Sequence, residues 1–196
     1  MRGLQIMSRI AQRICIAMLC ALALPLRAGE LPGDSVYRLP VALVDQDGHG
    51  FALAERAGKV QLVSMFYTSC QYVCPLIIDT LKKTQAGLDP AERAKLDVLL
   101  VSFDPARDTP ARLKEVFGER KLDAATWTLA RTDERSVRKL AAVLGIQYRA
   151  LAGGDINHST ALVLLDAQGR ILARSERIGA VDADFIADLR NALHAR

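Results

Sequence analysis

Cys70 and Cys74 are separated by three residues, Gln71-Tyr72-Val73, and Pro75 follows the second cysteine directly. A thiol is inert until it ionises; the thiolate attacks disulfides and binds soft metals. Val60 to Tyr67 is an apolar, β-rich run of strand length that ends at Thr68-Ser69-Cys70, and Pro75 suits the first position of a helix. Cys74 is then expected at the helix N-cap, with the unpaired amides and the positive end of the helix dipole facing both sulfurs and lowering their pKa. A bridge across so short a loop would constrain little of the unfolded chain, so the pair is expected to be functional rather than a staple. Redox dithiols commonly use two intervening residues. Three leave room for the sulfurs to diverge around an ion without forbidding a disulfide.

The elements that must position this pair follow from hydrophobic pattern and turn residues. Residues 36–44 and the stretch after Phe51 flank Asp47-Gly48, a hairpin signal. A helix is predicted after Cys74, a second buried strand over Asp97 to Phe103, and a helix opened by Thr109 and Pro110. Trp127 to Leu129 is read as a short strand, Trp127 being core, and Asp133 to Leu144 as a helix ended by Gly145. A short strand at Ile146 to Tyr148, a Gly153-Gly154 loop carrying His158, a hairpin of Thr160 to Leu165 with Ile171 to Ser175, and a helix over Asp182 to Ala192 complete the chain. This order predicts an α/β thioredoxin-like fold, a central mixed sheet flanked by helices with an N-terminal β-hairpin.

In that topology the loop entering Thr160 to Leu165 faces the cysteines, which makes His158 the candidate third ligand. Ordinary thioredoxins guard the dithiol with a cis-proline; no proline follows Pro110 here, and His158 takes that place. A loop histidine is by itself more often a surface group, as His49 in its turn and His194 in the last helical turn are read. Two sulfurs and one imidazole suit one copper ion as Cu(I) or Cu(II), whereas structural zinc would want a fourth ligand. Asp104 is read as a turn residue, the competing reading placing it near the metal, and Asp108 as a negative charge ahead of the helix start.

The chain has 196 residues, with 26 Lys and Arg against 22 Asp and Glu. Four of the arginines and none of the acids fall in residues 1–28, where Arg2, Arg9 and Arg13 precede an apolar run from Ile14 to Leu24. This pattern predicts a signal peptide or N-terminal anchor over 1–28, a flexible leader over 29–35 and one domain over 36–196. Cys15 and Cys20 belong to the export segment. The remainder balances at 22 basic against 22 acidic residues, without the basic footprint of a nucleic-acid binder.

Three motifs in order, Tyr67 to Pro75, Val101 to Pro110, and His158-Ser159-Thr160, resemble the SCO/SenC copper chaperones that help assemble the binuclear copper centre of cytochrome c oxidase. The resemblance implies one copper on Cys70, Cys74 and His158, and an exported protein in the periplasm or on the outer face of the inner membrane. It also implies a copper-receiving partner such as an oxidase subunit, with an upstream copper donor or thiol reductant. Membrane contact is expected only through an uncleaved N-terminal segment. The chain departs from the family's pattern at Gln71-Tyr72, where Pro-Asp is usual, and at Asn157, where Asp is frequent. The rival reading is an enzyme, a thiol–disulfide oxidoreductase with Cys70 and Cys74 as its catalytic pair and His158 dispensable. A peroxide-reducing enzyme is disfavoured because residues 68–75 supply no arginine.

Overall fold

The computed structural model describes residues 30–195; the export segment predicted at 1–28 lies outside the described residues. The N-terminal hairpin is present, β1 (Ala42–Asp45) pairing antiparallel with β2 (Gly50–Ala52). The strand expected from Val36 starts later. Ser35 accepts the Tyr37 amide and caps a 3₁₀ turn over Val36–Arg38, and Pro40, which has no N–H to offer a ladder, separates that turn from β1. In the stretch read as leader, Leu31 packs against the core and the Ser35 hydroxyl donates to Gln168 O.

Next come β3 (Val60–Phe66), helix α1 (Val73–Ala86), the single turn α2 (Pro90–Arg93) and β4 (Leu96–Ser102). These are followed by α3 (Pro110–Glu119), β5 (Trp127–Arg131) and α4 (Glu134–Val143). The chain ends with β6 (Tyr148–Ala150), β7 (Ile156–His158), β8 (Leu162–Leu165), β9 (Ile171–Ser175) and α5 (Ala183–His194). The main sheet runs β2-β1-β5-β4-β3-β8-β9, and β6 and β7 form a separate two-stranded sheet. Strands β3, β4 and β5 are parallel; β1 and β8 run antiparallel to their neighbours β5 and β3. Helix α1 packs on β3, α3 on β5 and β1, and α5 on β9. The fold is thioredoxin-like.

All seven residues of β3 are buried, the signature of a strand covered on both faces. Its two polar residues are satisfied: Gln61 donates to Tyr37 Oη and Arg56 O, and Ser64 to Ala161 O. Because β8 is antiparallel to β3, with Val63 opposite Val163, the segment entering β8 arrives at the end where β3 leaves the sheet. That register brings residue 158 to residue 70. Trp127 is buried, as expected, its indole N–H donating to Gln85 Oε1 across 2.8 Å. The turn α2 escaped the sequence reading, although Asp89 and Glu92 form a capping box around Pro90. Among the described residues no helix is long and apolar enough to cross a membrane.

The N-terminal turn docks on the β8–β9 turn at Gly169, which has φ of +82°; a Cβ there would meet Tyr37 Cδ2 at 2.5 Å and Ser35 Oγ at 2.7 Å. Gly48 has φ of +84° in open space. Urea denaturation of Gly48→Ala is expected to show a loss of about 1 kcal/mol from the left-handed backbone alone, and Gly169→Ala a loss of about 3 kcal/mol. Equal losses would show that the docking does not hold.

Candidate metal centre

Helix α1 starts without a side-chain cap: Tyr72 is its N-cap residue and contributes none. The other four α-helices among the described residues are each capped by a side chain, from Asp89, Thr109, Asp133 and Asp182. At α1 the Cys70 sulfur fills that role. The Cys74 amide donates to Cys70 Sγ across 3.4 Å, and the Tyr72 and Val73 amides also support it. Burial pushes the Cys70 thiol up, but these amides and the Cys74 thiol outweigh it, and its pKa is lowered.

Cys74 departs from its expected place. It is the second helical residue rather than the N-cap, and it is 2% exposed. Burial pushes its pKa well above the ordinary thiol range; the Tyr67 amide opposes this, while Cys70 and Asp108 add to it. The expectation that the helix start lowers both thiol pKa values is therefore corrected: it holds for Cys70, whereas burial raises that of Cys74. Both are free.

His158 ends strand β7, not a loop, opposite Tyr148. The strand was illegible because each arm of the β6–β7 hairpin has only three residues. His158 Nδ1 lies 2.9 Å from Ser159 O. A carbonyl only accepts, so Nδ1 carries the proton and Nε2 keeps its lone pair for the site. The ring lies 4.8 Å from the Phe103 ring and edge-on to Tyr67 at 5.9 Å, and Phe103 is itself 5.1 Å from Tyr148. Nε2 stands 3.9 Å from Cys74 Sγ, and the two sulfurs and this nitrogen all lie within 4.8 Å of one another. Ligand bonds of about 2.0–2.3 Å at trigonal angles require donors about 4 Å apart. The three donors fit a single ion.

Among the described residues, His49 and His194 stay away from this cluster. His49 faces Asp45 in its exposed turn, and His194 Nε2 contacts Glu92 Oε1 at 3.1 Å rather than merely favouring the helix end. Arg112 and Arg120 line a cavity of about 210 Å³ beside the cysteines, which residues 68–75 alone gave no sign of. Arg112 is held by Glu115 and Arg120 by Asp79 and Pro75 O.

The family model described as SCO1/SenC matches residues 31–194. The chain belongs to the SCO1/SenC family. A SCO2-like protein of Rickettsia felis is 28% identical over 138 residues, 66% of this chain and 64% of that protein, so the match spans less than two thirds of such relatives. Two solved structures show the same fold. Bradyrhizobium japonicum ScoI with copper bound has a TM-score of 0.64 at 23% identity, covering 78% of this chain and 97% of that one. BsSco, described with a disulfide switch and as a member of the Sco family of cytochrome c oxidase assembly proteins, has a TM-score of 0.68 at 21% identity, covering 85% and 99%.

Against the SCO1/SenC pattern, the departures fall outside the donor cluster. Gln71 and Tyr72 are exposed, Tyr72 84% so, and Tyr72 serves Cys70 through its amide, which any residue but proline supplies. Asn157 is exposed and alternates with His158 along β7, so its side chain points to the opposite face.

The residue that sequence reasoning undervalued is Asp108. It does not cap α3, a role taken by Thr109, and it is fully buried. Its carboxylate accepts from the Thr68 amide at 3.1 Å, from Thr68 Oγ1 at 2.5 Å and from the Ser102 hydroxyl, tying the loop before Cys70 to the end of β4. Only register knowledge reveals this, since Phe66 pairs with Ser102. Asp104 is likewise no free turn residue: it is 9% exposed and bound by Arg107.

Alkylation should separate the two thiols. Iodoacetamide is expected to modify Cys70 first, its rate rising through a midpoint below the ordinary thiol pKa of about 8.5, while Cys74 stays unmodified until the protein unfolds. Equal rates would contradict the asymmetry. Asp108→Ala should cost about 3 kcal/mol in urea denaturation, because it leaves the half-buried Thr68 donors and the buried Ser102 hydroxyl without an acceptor. An unchanged midpoint would show the loop is held by other means.

Proposed function

We propose that this chain is a metallochaperone that binds one copper ion through Cys70, Cys74 and His158 and passes it to a respiratory copper enzyme, most directly the binuclear copper site of cytochrome c oxidase. The observation that carries the reading is the convergence of two sulfurs from one helix start with an imidazole 84 residues away in sequence, its lone pair turned to them. A mixed thiolate and imidazole set of three donors suits Cu(I) and is adequate for Cu(II). With a coordination position left over, a partner's ligand can bind before a resident one leaves, which is what transfer without release requires.

The copper-bound relative and the oxidase-assembly relative support this assignment. Residues 1–28 would act as export signal or membrane anchor, placing the domain in the periplasm or on the outer face of the inner membrane. There a copper donor and a thiol reductant would load it, because a Cys70–Cys74 disulfide would remove both sulfur donors.

The unequal thiols favour a second reading, in which Cys70 attacks a partner disulfide and Cys74 resolves the mixed disulfide. Anaerobic Cu(I) titration against a competing chelator, run beside a disulfide-reductase assay, decides between them. One copper per chain is expected, with affinity falling about 100-fold in Cys70→Ser or Cys74→Ser and about 10-fold or more in His158→Ala. Intact copper binding in His158→Ala, together with reductase activity that needs both cysteines, would establish the oxidoreductase instead.

A further inference from the structure

His158 stands on a short hairpin outside the main sheet. The β6–β7 sheet has two strands of three residues and shares no strand with the main sheet. An isolated hairpin of that size is marginal in water. Its packing on the core runs through Tyr148, Ile156 and the His158 ring, and beside these contacts opens a cavity of about 340 Å³, lined in part by Phe103, Arg107 and Gly154. The third donor therefore needs an anchor outside its own hairpin.

Polar contacts reach the backbone of the hairpin from Tyr67 and Arg107. Tyr67 Oη lies 3.4 Å from the Ile156 amide and 3.5 Å from Ile156 O, at the limit of hydrogen bonding. Arg107 does better. Its Nε donates to Asp104 Oδ2 and its Nη2 to Gly154 O, so one planar side chain joins the end of β4 to the tip of the hairpin. The body end is firm: the buried Asp104 takes the Ser102 hydroxyl oxygen on its amide at 2.9 Å, and Ser102 donates to Asp108. The tip is shaped to receive it, because Gly154 has φ of +83° and a Cβ there would stand 3.2 Å from Arg107 Nη1.

We propose that Arg107 is a positioning residue: by clamping the hairpin tip through Gly154 O, it holds His158 over the sulfurs and so sets whether the copper of the proposed function sees three donors or two. Nothing in Arg107 touches the donors; it acts through the hairpin. Its own side chain is half exposed, so a partner's carboxylate can compete for the guanidinium and release the third donor where the ion is handed over.

The test uses the full mature chain with copper as the probe, and has an arm that needs no copper. In the metal-free protein, the amides of Leu151 and Ser159, which bond Asp155 O and Gln147 O inside the hairpin, should exchange with deuterium about 10-fold faster in Arg107→Ala, with protection partly restored in Arg107→Lys. Amides of β3 and β4 should not change. In Cu(I) competition, Arg107→Ala should lose about 10-fold in affinity, and adding it to His158→Ala should cost nothing further. Unchanged hairpin exchange overturns the proposal, as does faster exchange with copper affinity intact in Arg107→Ala while His158→Ala weakens it. If His158→Ala itself leaves copper binding untouched, the three-donor reading fails, and the exchange arm still decides whether Arg107 holds the hairpin.

Discussion

A helix must satisfy its first amides, and in this protein one helix does so with sulfur. Because no side chain of residues 70–75 caps α1 with oxygen, the amides of Tyr72, Val73 and Cys74 turn to Cys70 Sγ, and the same contact fixes the loop and draws the thiol toward ionisation. A capping oxygen at position 72 would compete for those amides. The structural need and the chemical one are met by a single atom, which is why the cysteine loop can be short, exposed and variable at Gln71 and Tyr72 while its electrostatics stay put.

The rest of the site is placed by the sheet. Flush pairing of β3 with β4 sets Phe66 beside Ser102, so that the buried carboxylate of Asp108 reaches back to both Ser102 and Thr68. The antiparallel pairing of β8 with β3 returns the chain to the same end. Two bonding patterns, one local to each neighbour of β3, thus converge on one point without a long-range contact designed for that purpose. Donor geometry is inherited from strand register, and the aromatic rings of Tyr67, Phe103 and Tyr148 fill the space between.

The sequence made the framework legible wherever burial or capping dominates. The largely apolar runs of β3 and β4, the Thr109-Pro110 start of α3, the Asp133 start of α4 and the Asp182 start of α5 are each legible in local chemistry, Cys70 and Cys74 stand out by type and spacing, and His158 by its place ahead of β8. What escaped depended on non-local geometry. Proline is common at the first helical position, which points to Cys74 as the N-cap, whereas Pro75 here is the third helical residue and remains harmless, since its missing N–H is never owed a partner. The hairpin bearing His158 was too short to show an alternation, and Asp108 looked like a helix-start charge because its partners come from two other strands' ends.

The separation of the β6–β7 sheet from the seven-stranded one has an evolutionary corollary. Since the imidazole sits on a hairpin whose ladder is separate from the main sheet, substitutions that lengthen, stiffen or re-equip that hairpin leave the pairing of β3, β4 and β5 unchanged. Ion preference and release can therefore vary between relatives through the eleven residues from Tyr148 to His158, while the dithiol half stays wired into a helix start.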